Sequence, residues 1–129
     1  MGGLHLPEEL LETIADGRWK PPQNTDILRR IFGDEPDGPQ FYDFATMVAQ
    51  NRFFHSKSAA ELEEDVPGSN QGLGIDPALA VLIGSLGTDM PIALDYRTGR
   101  STPRIIYLMP DGWREVAPDF ATLARQLDL

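Results

Sequence analysis

Apolar and turn-forming positions reinforce each other most clearly over residues 79–109. Residues 80–84 form a short apolar run, and Ile92, Leu94 and Tyr96 alternate with Ala93, Asp95 and Arg97. Residues 105–108 are rich in β-branched and aromatic side chains. Period-two patterning bounded by breakers predicts strands. Gly87, Thr88 and Asp89 supply one break, and Thr98, Gly99, Ser101 and Pro103 the next, since glycine accepts positive φ and proline fixes its own. The stretch therefore predicts a three-stranded antiparallel meander. A fourth strand is expected over residues 113–117, entered through a tight turn at Pro110, Asp111 and Gly112.

Helical periodicity dominates the remainder. Leu6 and Pro7 open a first helix in which Glu8 and Glu9 complement the positive end of the dipole, Leu10, Leu11 and Ile14 form the apolar stripe, and Gly17 ends it. Pro21 and Pro22 forbid helix in the following RWKPP segment. Trp19 is expected to anchor this turn on the core, its other role being an exposed anchor for a partner. Asn24 or Thr25 caps a second helix through Phe32, with Leu28, Ile31 and Phe32 inward, Arg29 and Arg30 in its last turn, and Gly33 beyond. A third helix is expected over residues 41–50, extending towards Phe54, with Phe44, Met47 and Val48 on one face. Ser58 and Glu61 make a capping box for a short acidic helix through Glu64, and residues 65–74 read as a loop. Asp119 caps a terminal helix with Phe120, Leu123, Ala124 and Leu127 at helical spacing. Helices first, then strands, then a closing helix predict one α+β domain: a mostly antiparallel sheet of about four or more strands with helices packed against it.

Charge adds a polarity to this outline. The 129 residues carry a formal net charge of -9, and of 20 acidic side chains 13 precede Val66, against 6 of 11 basic ones. The acidic field thus belongs to the helical half. It argues against nucleic-acid binding and against anionic membrane surfaces, and it favours steered encounter with a basic protein. The start of the chain has neither a basic region nor an apolar run of the kind a cleaved signal needs, and nowhere do eighteen apolar residues follow one another. With no cysteine, disulfides and thiolate chemistry are excluded. A cytoplasmic location is expected.

Candidate chemistry is sparse. His5 and His55 lack partners at metal-ligand or general-base spacing, and the acidic loop over residues 33–40, GDEPDGPQ, lacks the ligand order of a calcium loop. Neither IGSLGTD nor GSNQGLG makes a phosphate cradle. Ser85 misses the nucleophile elbow because Ile83 stands where a glycine is needed, and no histidine follows it. Asp95 is expected to pair with Arg97 or Arg104. Tyr96, Tyr107 and Trp113 read as cross-strand packing residues. No enzymatic activity and no cofactor or metal is expected.

The segments LPEELLETIADGRWKPP, IGSLGTDMPIALDYR, PRIIYL and WREVAPDFATLARQL, taken in that order, resemble the SUKH superfamily, specifically its Smi/Knr group of cell-wall-assembly-regulator-like domains. The strongest part is residues 83–97, with the Ile-Gly start, the glycine turn and the strand ending in Leu-Asp. The resemblance implies a single twisted sheet flanked by helices and a protein-binding role. Bacterial members are linked to immunity against polymorphic or contact-delivered toxins, many of them nucleases or deaminases. The expected function is accordingly an immunity protein that covers a basic toxin domain, with Asp34, Glu35, Asp37, Glu61, Glu63, Glu64 and Asp65 as the electrostatic side of the interface and Trp19 as a candidate anchor. The alternative is a regulatory or small-ligand-binding module using the hollow between sheet and helices, a space that Phe44, Trp19 and Phe120 would fill if it were closed.

Overall fold

The computed structural model describes residues 3–55, 75–109 and 112–129. Within them the elements are α1 (Glu8–Ala15), α2 (Thr25–Phe32), β1 (Gln40–Phe41), α3 (Phe44–His55), a 3-10 turn (Pro77–Leu79), β2 (Ala80–Ser85), β3 (Pro91–Asp95), β4 (Arg104–Met109), β5 (Gly112–Ala117) and α4 (Phe120–Gln126). The five strands form one antiparallel sheet in the order β1-β2-β3-β4-β5. This is an α+β fold with a sheet flanked by helices. The expected capping box at Ser58 and Glu61, the helix through Glu64, the 65–74 loop and the turn at Pro110 and Asp111 lie outside the described residues.

Each strand of the meander presents alternate residues to two apolar layers. Val81, Ile83, Ile92, Leu94, Ile105 and Tyr107 meet Leu10, Leu28, Phe32, Phe120 and Leu123 from α1, α2 and α4. On the reverse face Ala80, Ala93, Ile106 and Trp113 meet Phe54 and Ile75. Burial on both faces explains the dense apolar runs of β2 and β4, which a sheet with one wet face would not need. Trp19 sits at the heart of the first layer, stacked on Phe41 with ring centroids 4.3 Å apart and edge-on to Phe120 at 5.4 Å. Its side chain is only 6% exposed. The expected anchoring of this turn on the core is met, and the candidate role as an exposed partner anchor is corrected: the indole holds the 18–22 turn onto the core through aromatic contacts worth about 0.5–1.5 kcal/mol each.

Local chemistry follows the sequence closely at α2 and α4. Asn24 accepts from the Asp26 amide, Gly33 ends α2 at φ 71°, and Asp119 accepts from the Thr122 amide at 2.8 Å. In α1 the inward positions are Leu10 and Thr13, with Leu11 left 41% exposed. Thr13 is tolerated inside because its hydroxyl donates to the Leu10 carbonyl at 2.8 Å.

The third helix differs most from expectation. Phe41 belongs to β1, paired with Gly84, and α3 starts three residues later, where Asp43 accepts from the Thr46 amide at 2.8 Å as an N-cap. Its buried positions are Met47, Asn51 and Phe54, whereas Phe44 is 52% exposed. The polar Asn51 interrupts the apolar period, so the helix face is misjudged from hydrophobicity alone. The short strand β1 is possible because residue 84 is glycine: a Cβ there would come within 2.7 Å of the Gln40 carbonyl oxygen.

Candidate partner-binding cleft

Where β1 stops, α3 takes over the outer edge of β2. Tyr42 still reaches the Ile83 carbonyl at 3.0 Å. Next along the edge, Asn51 accepts from the Leu82 amide at 2.7 Å and donates to the Leu82 carbonyl at 2.8 Å. One helical turn further on, His55 Nε2 lies 2.8 Å from the Ala80 carbonyl. A carbonyl only accepts, so that ring nitrogen carries a proton. A helix with side chains at i and i+4 thus completes a strand edge that would otherwise offer open backbone groups.

That arrangement sets α3 as one wall of a broad cleft. Gln50, Phe53 and Phe54 line it from the helix, Leu82, Pro91, Leu108 and Trp113 from the sheet, and Asp34, Glu35, Asp37, Thr88 and Asp89 from two loops. Its volume is about 1220 Å³, larger than the roughly 300–1,000 Å³ of small-molecule sites. Phe53, on the lip, is 69% exposed.

The acidic rim is built, residue by residue, from the backbone of two loops. The Asp37 amide donates to the Leu86 carbonyl at 2.7 Å, and the β2–β3 turn is closed by Leu86 and Met90 amide bonds of 3.0 and 3.2 Å. Gly87 lets these segments touch, because a Cβ at that position would meet the Asp37 carbonyl oxygen at 2.9 Å. Asp89 stands at φ 59°, a left-handed conformation that Asp accepts better than most residues. Asp34 accepts from the Tyr107 hydroxyl at 3.1 Å. Burial, followed by that carboxylate, raises the Tyr107 phenol well above its usual range. Glu35 receives a two-pronged contact from Arg29, with nitrogen–oxygen distances of 2.6 and 2.7 Å. The Arg29 hydrogen bonds hold the Glu35 carboxyl below the usual carboxylate range, and Asp26 also contacts the same guanidinium.

A second polar cluster lies at the opposite end of β3. Asp95 is fully buried, with Arg97 Nε at 2.9 Å and Arg104 Nε at 2.8 Å, and Arg104 reaches Glu115 at 3.7 Å. Burial by itself would raise the Asp95 carboxyl; the Arg97 and Arg104 hydrogen bonds outweigh it and lower the value. The expected pairing with Arg97 or Arg104 is met by both. Nearby, Tyr96 donates to the His5 carbonyl at 2.6 Å, tying the N-terminal segment to the sheet, and burial pushes its phenol up to about 12. Among the described residues no three His, Cys, Asp or Glu side chains converge as a metal site, and no helix there is long and apolar enough to cross a membrane.

Of the residues singled out in the sequence, Asp34, Glu35 and Asp37 share one rim. Trp19 lies inside the core, away from it, and Glu61, Glu63, Glu64 and Asp65 lie outside the described residues. The hollow between the sheet and α1, α2 and α4 is packed with Trp19, Phe41 and Phe120, while Phe44 faces solvent. Asp89 and the apolar floor were not foreseen, because Asp37 and Asp89 come to line one cleft only through the packing of the Asp37 segment on the Gly87 turn. No protein-family model, curated protein or solved structure matches the chain.

Proposed function

We propose that this chain is a non-enzymatic protein-binding module of the SUKH type, acting in the cytoplasm as an immunity protein that occludes a basic toxin domain. The observation that carries the proposal is the cleft: an apolar floor of Leu82, Pro91 and Leu108 beside a rim of carboxylates. Apolar surface supplies affinity and a single-sign rim supplies steering and register. A toxin that acts on nucleic acid presents a positive substrate face, and an acidic cleft complements it. The α+β architecture and the resemblance of residues 83–97 support the same reading.

The test is protection in cells. The product of the adjacent gene is expressed with and without this chain, and growth is followed. Restored growth that depends on this chain is the predicted result. Equal growth inhibition in both cultures, with both proteins produced, would remove the immunity role.

A further inference from the structure

The rim carboxylates are not equivalent. Glu35 is already neutralised by the Arg29 fork, and Asp34 is engaged by the Tyr107 hydroxyl and the Glu35 amide. Asp37 and Asp89 have no hydrogen-bonding or ionic side-chain partner among the described residues. Both are exposed, and both border the Gly87 contact, which brings the Asp37 Cβ within 3.4 Å of where a Gly87 Cβ would stand. Two uncommitted carboxylates therefore line one cleft, Asp37 in contact with the turn that carries Asp89, beside the floor formed by Leu82, Met90, Pro91 and Leu108.

We infer that the cleft binds an extended segment of a partner protein in which an arginine or lysine, flanked by aliphatic side chains, is received by Asp37 and Asp89; this rests on the protein-binding reading above. The chemistry selects the occupant. A polyanion is repelled, a bare inorganic cation makes no use of the apolar floor, and a small organic cation leaves most of an open cleft of this size wet. A basic residue with aliphatic neighbours satisfies both halves at once. Arg29 and Tyr107 then act as positioning residues: by engaging Glu35 and Asp34 they hold the loop and leave recognition to Asp37 and Asp89.

The experiment is a nuclear magnetic resonance titration of the isotope-labelled full chain with three capped pentapeptides. One alternates leucine and arginine, a second replaces each arginine by glutamate, and a third replaces each leucine by glycine. The leucine–arginine peptide is expected to shift the Leu82, Gly87 and Asp89 amide resonances saturably. The glutamate peptide should leave them unmoved, and the glycine–arginine peptide should bind more weakly than the leucine–arginine one. The double variant Asp37→Asn with Asp89→Asn, whose asparagine tolerates the left-handed backbone at 89, should weaken the leucine–arginine peptide about threefold to thirtyfold and flatten its salt dependence. Failure of that peptide to shift those resonances, or equal binding by the double variant, overturns the inference. Protection in cells without peptide binding would leave the immunity reading standing and remove this one, whereas binding at the cleft without protection would do the reverse.

Discussion

Replacing Asn51 by leucine isolates the device that seals the sheet edge. The side chain is fully buried, and its amide makes two hydrogen bonds to the Leu82 backbone and one to the Met47 carbonyl at 2.8 Å. Leucine keeps the volume but removes every one of these partners. The Met47 carbonyl loses little, since it lies within a helix, but the Leu82 N–H and C=O are left facing an apolar side chain. A buried backbone group without a partner costs about 1–3 kcal/mol, and Leu82 is half-buried, so the two together cost roughly 2–4 kcal/mol, near the lower end of the range for two groups. Against a total stability of roughly 5–15 kcal/mol for a domain, this corresponds to a fall in Tm of about 6–16 °C for a chain of this length. Urea unfolding followed by both tryptophan fluorescence and far-ultraviolet circular dichroism measures it, and Trp19 and Trp113 together sample both apolar layers. The expected result is a lower midpoint with an unchanged slope and coincident transitions. A loss of less than about 0.5 kcal/mol, the scale of ordinary surface substitutions, would refute the idea that Asn51 completes the edge of β2.

Asp95→Asn should destabilise the fold by about 3–5 kcal/mol at neutral pH, because two guanidiniums lose a buried charged partner. The native Asp95 carboxyl lies below its unfolded value of about 3.9; its contribution is therefore fully present above that pH and is lost as pH falls through the folded value. The stability gap between wild type and variant should close in acid, and a gap independent of pH would contradict the pairing. Trp19→Phe should cost less than about 2 kcal/mol in thermal unfolding, since the buried indole nitrogen has no hydrogen-bond partner among the described residues and phenylalanine retains an aromatic contact with Phe41; a larger loss would show that the indole is needed. Gly84→Ala forces a Cβ to 2.7 Å from the Gln40 carbonyl oxygen, so β1 should detach, with a loss of about 1–3 kcal/mol and faster exchange at the Tyr42 amide, which donates to the Ile83 carbonyl. Unchanged exchange at that amide would count against the close approach.

The meander, α2 and α4 were legible in the sequence because local signals agreed there: period-two patterning, an Asn24 or Asp119 cap, a glycine after α2. The third helix was legible as an element but not in its face, since Asn51 reads as a polar interruption until the edge of β2 that it satisfies is in place. The strand at Gln40 and Phe41 carries no pattern of its own, being two residues long and dependent on Gly84. Three rim carboxylates could be named from the sequence because they fall in one loop. Asp89 could not be joined to them, as the contact at Gly87 links segments 50 residues apart, and Trp19 could not be assigned inside or outside from an isolated aromatic between a helix and a proline pair.

The most direct test of the central claim, that the acidic-rimmed cleft serves a basic protein partner, is calorimetric titration of this protein with an inactive form of the adjacent gene's product at low and at high salt. The account predicts one-to-one binding with Kd below about 1 µM, weakened as salt rises. Absence of heat and of complex at every salt concentration would contradict it.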